Sequence, residues 1–216
     1  MSDNIPVYLV GLLAQALFSA RVIVQWALSE KKREVVSPTL FWVLSLVASV
    51  IFFAYGWLRN DFALMLGQII GYYVYMWNLG AKGVWKRMGG LRHAVVPLLS
   101  IIPPLFITLE VAKDPAAVIA ELFSNEAIPT ALIVFGSLGQ AVFSCRFIYQ
   151  LIYSIKRGES VLPKGFWLIS LVGAIMIFTY GLIRLDPVVL LAQSFGIISY
   201  VRNLMIWRKS HRPSAS

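Results

Sequence analysis

The fold turns on the stretch Gly11-Leu-Leu-Ala-Gln15-Ala-Leu-Phe-Ser19-Ala-Arg21-Val-Ile-Val-Gln25-Trp-Ala-Leu-Ser29. It recurs as Gly136-Ser-Leu-Gly-Gln140-Ala-Val-Phe-Ser144-Cys-Arg146-Phe-Ile-Tyr-Gln150-Leu-Ile-Tyr-Ser154. Each copy is membrane-type sequence near the length that crosses a bilayer as a helix. Each keeps Gln, Ser, Arg, Gln and Ser at the same five places. Almost any mixture of Leu, Val and Ile makes an apolar helix, so five fixed polar positions ask for more than packing.

The doubling extends well beyond this stretch. A shift of 125 residues aligns 11–79 with 136–204 without a gap, and 30 of the 69 pairs are identical. Shared apolar residues mean little in a chain that is 59% hydrophobic and 13% charged, against about 25% charged in soluble domains. The shared polar and aromatic residues mean more. They include Gln15/Gln140, Arg21/Arg146, Gln25/Gln150, Pro38/Pro163, Trp42/Trp167, Tyr55/Tyr180, Gln68/Gln193, Tyr75/Tyr200 and Asn78/Asn203.

Hydropathy predicts an all-α, polytopic membrane protein with seven spans: 6–28, 38–58, 62–81, 94–111, 128–153, 165–183 and 187–207. The short turns at 59–61 and 184–186 make the second and third spans of each half antiparallel neighbours. Asp114-Pro115 is placed to start a short interfacial helix carrying Val118, Ile119, Leu122 and Phe123, and the Ser-Ala-Ser end is expected to be disordered. Of 19 basic residues, 13 fall near 29–37, 82–93, 154–164 and in the C-terminal tail. The positive-inside rule then sets the N-terminus outside and the C-terminus in the cytoplasm. Each half has three spans, and the extra fourth span lets the second half repeat the orientation of the first. The expected domains are therefore a first three-helix bundle at 6–82, a linker with the fourth span at 83–127, and a second bundle at 128–208.

The net charge of +9 belongs to loops beside apolar segments, where it orients the chain and meets anionic lipid. No nucleic-acid partner is expected. Cys145 is the single cysteine and has no partner for an intrachain disulfide. His93 and His211 lack metal-ligand spacing, and neither metal nor cofactor is expected. No cleavable signal peptide is expected, because the start lacks a positive region and the first apolar stretch contains Arg21.

Each half resembles the LABN family, named for the membrane segment that precedes the catalytic region in some lipid-A-disaccharide synthases. The matching residues are Gly11, Gln15, Phe18, Ser19, Arg21, Gln25, Trp26, Ser29-Glu30-Lys31, Pro38, Phe41-Trp42 and Tyr75-Met-Trp77-Asn78-Leu79. In the second half they are Gln140, Phe143-Ser144, Arg146, Gln150, Ser154, Pro163, Phe166-Trp167 and Tyr200-Val201-Arg202-Asn203-Leu204. Trp77 stands where the family usually has Arg, and Leu151 stands where the first copy has Trp26. The family is similar to the PQ-loop group that includes SWEET transporters, so the resemblance implies a SWEET-like 3+1+3 arrangement of two parallel bundles. It also implies service to envelope glycolipid chemistry. With no glycosyltransferase region following, synthase activity is not expected.

Charged groups at bilayer depth are costly, at least about 2.5–3.5 kcal/mol on insertion scales, and face interiors or cavities. Arg21, Gln25 and Ser29 succeed one another at one-turn spacing, as do Arg146, Gln150 and Ser154. Gln68, Tyr75 and Asn78 recur along the third span, with Gly67-x-x-x-Gly71 suited to close helix approach. Each bundle is therefore expected to carry a polar seam between its first and third spans. That seam offers guanidinium, amide, hydroxyl and phenol groups but no carboxylate. An unneutralised guanidinium fork suits phosphate. The expected ligand-binding set is Arg21, Arg146, Arg202, Gln15, Gln140, Gln25, Gln150, Gln68, Gln193, Tyr75, Tyr200, Asn78 and Asn203. Its ligand would be an anionic lipid-linked sugar or glycolipid, such as a polyprenyl-phosphate sugar or a lipid A precursor, flipped or presented. Bland readings stand beside this one: Arg202 as a snorkelling side chain, Arg21 and Arg146 as clamps on carbonyls or glutamines, Glu30-Lys31-Lys32-Arg33-Glu34 as an ordinary charge run, and Pro97, Pro103 and Pro104 as shapers of the linker span. Two other functions stay open: a uniporter of soluble sugar or sugar phosphate, and an accessory subunit of a membrane glycosyltransferase. An enzyme ranks last, since no intramembrane base or nucleophile–base pair is visible.

Overall fold

A computed structural model describes residues 5–58, 62–116, 130–185 and 187–211. The turn at 59–61, Asp186, the apolar residues of the expected interfacial helix and the C-terminal Ser-Ala-Ser lie outside the described residues. Every described element is helical. In order they are α1 (Ile5–Lys32), α2 (Thr39–Leu58), α3 (Phe62–Ala81), the single turn α4 (Val84–Arg87), a 3₁₀ turn (Gly89–Leu91), α5 (Arg92–Lys113), α6 (Thr130–Arg157), α7 (Lys164–Arg184) and α8 (Pro187–Ser210). Each of the seven expected spans falls on one of the long helices. Among the described residues, four helices are long and apolar enough to cross a membrane: those at Pro6–Lys32, Thr39–Leu58, Gly89–Lys113 and Lys164–Ile183.

The helices end for local reasons. The apolar run of α1 stops at Leu28, yet the helix continues through the polar turn Ser29–Lys32. Lys31 and Lys32 suit the negative end of the helix dipole there. Arg33 then takes a left-handed conformation, φ 57°, and closes the helix with its N–H on the Glu30 carbonyl at 3.2 Å. In the second repeat the same position is Gly158, φ 70°, the residue that adopts this geometry without steric cost.

The chain forms two compact units. One holds residues 1–21 and 39–125, the other 22–38 and 126–216, so α1 gives its first part to one unit and its last part to the other. In the first unit α2 packs on α3, and α3 also meets α5. In the second, α7 packs on both α6 and α8.

Repeated glycines mark repeated close approaches. A Cβ on Gly11 would come within 2.9 Å of the Tyr55 ring, and one on Gly136 within 2.7 Å of the Tyr180 ring. Each glycine lies on the first helix of its repeat and each tyrosine on the second, so the shared Gly and Tyr serve packing. Gly136→Ala should cost the overpacking penalty of about 1–3 kcal/mol less the roughly 1 kcal/mol gained in helix propensity, a net loss near 1 kcal/mol. Unfolding in mild detergent would measure it, and an unchanged or raised stability would show that Tyr180 can give way.

Candidate functional site

The arginines of the two repeats are both buried, Arg21 at 8% and Arg146 at 7% exposed. In the first unit Arg21 Nη1 donates to Ser45 Oγ at 2.9 Å and to the Tyr75 hydroxyl at 3.1 Å. Ser45 in turn donates to the Phe41 carbonyl at 2.6 Å, which leaves its lone pairs turned to the guanidinium. The rings of Phe18, Phe41 and Tyr75 lie 4.6, 5.4 and 5.6 Å from the guanidinium carbon, so cation–π attraction replaces part of the lost hydration. Tyr75 reaches back along α3 because Gly71, one turn earlier, leaves room: a Cβ there would sit 3.0 Å from its hydroxyl. Gly71 thus makes space for its own helix's tyrosine, where the Gly-x-x-x-Gly spacing had suggested close approach of a neighbouring helix.

The second unit repeats the parts with a different setting of the cation. Arg146 lies on the Phe143 ring at 3.3 Å and near Phe147 at 4.6 Å. Ser170, the counterpart of Ser45, donates to the Phe166 carbonyl at 2.6 Å. Tyr200 is buried against Trp167 with ring centroids 6.1 Å apart, the spacing also found for Tyr75 and Trp42. Gly196 again makes room for the tyrosine four residues on.

The glutamines hold loops. Gln25 is fully buried. Its Nε2 donates to Ser29 Oγ at 2.9 Å, Asn203 Oδ1 at 2.8 Å and the Val36 carbonyl at 3.3 Å, while the Val36 N–H donates to Ser29 Oγ at 3.2 Å. Gln150 repeats this with Ser154 at 2.8 Å and the Val161 carbonyl at 2.9 Å, and the Val161 N–H reaches Ser154 Oγ at 3.1 Å. Gln and Ser one turn apart thus pin the segment that leads into the second helix of each repeat. Asn78 and Asn203 are fully buried and each donates to the carbonyl one turn earlier, Val74 and Ser199.

Three expectations are corrected. The seam does not run strictly between the first and third spans of one repeat: Arg21 meets Tyr75 of its own repeat, but Gln25 meets Asn203 of the other. The last part of α1 belongs to the second unit, which explains the exchange. Arg202 is not a cation without an acid. Its Nε and Nη2 donate to the two carboxylate oxygens of Glu30 in a bidentate pair, the second at 3.0 Å, and Trp26 Nε1 also donates to that carboxylate at 2.9 Å. Hydropathy ends at Leu28 and leaves Glu30 in the charge run beyond the span, yet the extra helical turn carries it to α8. Finally, Gln15 and Gln140 are exposed. Six residues at 3.6 per turn place each about 120° round the helix from its arginine. Gln68 and Gln193 are half-buried.

Ser45 and Ser170 escaped the sequence reading although both are identical in the repeat. The serine lies on the second span of each repeat, outside the seam expected between the first and third.

No solved structure matches the chain. Among curated proteins, the lipid-A-disaccharide synthase of Chlamydia caviae is 30% identical over 221 residues, covering 97% of this chain and 35% of that protein. That of Chlamydia pneumoniae is 27% identical over 210 residues, covering 95% and 34%. The chain spans about a third of the length of these relatives. The pattern of the family described as Lipid A Biosynthesis N-terminal domain matches residues 10–80 and again 135–205, which are the two repeats that carry Arg21 and Arg146. The chain belongs to the Lipid A Biosynthesis N-terminal domain family and holds two tandem copies of its domain.

Proposed function

We propose that this membrane protein binds an anionic glycolipid and flips or presents it for envelope glycoconjugate synthesis, without catalysing a reaction itself. Its ligand is a phosphate-bearing lipid such as a polyprenyl-phosphate sugar or a lipid A precursor. The observation that carries this reading is the buried guanidinium found in both repeats, set on aromatic faces one helical turn from a fully buried glutamine, with two hydroxyls also on Arg21. Arg binds phosphate through a planar fork. The tyrosine phenol beside it adds a donor that orients the oxygens, since the serine protons are held by backbone carbonyls, and aromatic rings suit a sugar or isoprenoid. The naming of relatives as lipid-A-disaccharide synthases supports the same chemical setting.

In this proposal the seven long helices all span, as two parallel three-helix bundles at 6–82 and 128–208 joined through α5. The N-terminus is outside the inner membrane and the C-terminus in the cytoplasm, which puts the basic loops inside. The seat is built on Arg21, Ser45 and Tyr75, and on Arg146, Ser170 and Tyr200. Gln25, Gln150 and Asn203 fix the helices that present it.

Lipid mass spectrometry of the purified protein should find a co-purifying anionic isoprenoid or glycolipid. Arg21→Ala and Arg146→Ala should each weaken binding of a polyprenyl-phosphate sugar roughly tenfold, the worth of a charge-assisted contact. Unchanged binding in both variants would reject the seat. Uptake of free sugar by proteoliposomes with no lipid bound would favour a uniporter, and a stable glycosyltransferase complex without lipid movement an accessory subunit.

A further inference from the structure

The second unit has a cleft of about 620 Å³ between the C-terminal end of α1 and the last turns of α8, within the roughly 300–1,000 Å³ of ligand pockets. Its wall is basic with an apolar side: Arg33, Arg202 and Lys209 line it with Glu30, beside Met205, Ile206 and Ser210. Three cations against one carboxylate leave a net positive lining. Two helix C-termini open nearby, each equivalent to about half a negative charge, and together they do not cancel it.

Arg33 is the most telling of these residues. It sits at φ 57° where the second repeat has Gly158, and for an ordinary side chain the left-handed region costs roughly 1–2 kcal/mol. The backbone would accept glycine, so arginine at this position is there for its side chain. Glu30 is the other informative member. Its carboxylate occupies Arg202 bidentately and is steadied by Trp26, the geometry in which a phosphate would engage the same guanidinium.

We propose that this cleft is a second anion site, which takes a phosphate group with Arg33 and Lys209 while Glu30 acts as a built-in competitor for Arg202. The Met205 and Ile206 side suits the apolar part of a phosphate-bearing lipid. The positive-inside distribution assigns these helix ends to the cytoplasm, where basic pockets recognise anionic headgroups. The site uses residues other than Arg21 and Arg146, so it stands whether or not the chain carries a glycolipid.

The full chain, held in nanodiscs of neutral phosphatidylcholine, is titrated with phosphatidic acid and read by native mass spectrometry. A parallel titration uses inorganic phosphate. Arg33→Gly and Lys209→Ala should each weaken binding about fivefold, the worth of one basic side chain near a membrane surface. Arg33→Gly restores the residue of the second repeat and should unfold no earlier than the unaltered protein. Glu30→Gln keeps an oxygen for Trp26, releases Arg202 and should strengthen binding. Lys31→Ala with Lys32→Ala removes two charges off the cleft and should change little, and Arg21→Ala should leave this site alone. A response of phosphatidic acid identifies a lipid headgroup, and a response of inorganic phosphate alone identifies a soluble phosphate compound. If neither probe responds to Arg33→Gly and Lys209→Ala, or if the Lys31 and Lys32 pair matters as much, the cleft is not a site.

Discussion

Gln25→Leu is expected to lower the unfolding free energy by about 2–4 kcal/mol, measured in mild detergent by the shift in unfolding midpoint. The side chain is fully buried, and the two N–H bonds of its amide nitrogen are shared among three acceptors on three separate segments: Ser29 on α1, the Val36 carbonyl in the following loop, and Asn203 on α8. Leucine fills the volume but leaves the Val36 carbonyl and Asn203 Oδ1 short of a donor, and an unsatisfied buried group costs roughly 1–3 kcal/mol. Asn203 Nδ2 is already committed to the Ser199 carbonyl at 2.9 Å, so its amide cannot turn to compensate without breaking that bond. Removing both partners should cost less than the two losses added. Gln25→Leu with Asn203→Leu should recover about 1 kcal/mol, in keeping with the 0.6–1.7 kcal/mol of coupling typical inside membrane bundles. Strict additivity would mean that the bond is incidental. Gln150→Leu tests the repeated half of the network and should cost less, because Ser154 Oγ still donates to the Val161 carbonyl at 3.2 Å and still accepts from the Val161 N–H.

This network also shows where reading the sequence succeeds. Gln25 and Ser29 stood out because they occur twice at the same spacing in an apolar run, and the structure gives both pairs the same task. The helices themselves were legible from hydropathy, to within about one turn at most ends. Duplication made Arg21 and Arg146 visible for the same reason.

What was not legible was whatever lacked a duplicate or depended on which helix lies beside which. Glu30 has Ile155 as its counterpart, so the repeat drew no attention to it, and hydropathy placed it beyond the helix. Its pairing with Arg202 depends on the end of α1 belonging with α8, a fact of topology that local sequence does not carry. Ser45 was readable as Ser45/Ser170. It was missed because a lone hydroxyl on an apolar helix usually returns to its own backbone, as this one also does through the Phe41 carbonyl.

Two adjacent tyrosines make the same point and carry the second large effect. Tyr72→Phe combined with Tyr73→Phe should destabilise the protein by about 2–3 kcal/mol. Proline has no N–H, so Pro103 cannot bond the carbonyl four residues back, that of Leu99, and Pro104 cannot bond that of Ser100. Tyr72 donates to the Leu99 carbonyl at 2.9 Å and Tyr73 to the Ser100 carbonyl at 2.6 Å. Each orphaned carbonyl on α5 thus takes its proton from α3. The helix containing these prolines is one of the four apolar enough to cross a membrane, and hydrocarbon supplies no water as a substitute. The second repeat has Ile197 and Ile198 at the matching positions, as expected if the tyrosines exist to serve α5. The decisive arm is Pro103→Ala. It returns an N–H to the helix, so the Leu99 carbonyl no longer needs Tyr72, and Tyr72→Phe should then cost about 1 kcal/mol less than in the unaltered chain. An equal cost in both backgrounds would show that Tyr72 holds α5 by packing rather than by completing its backbone.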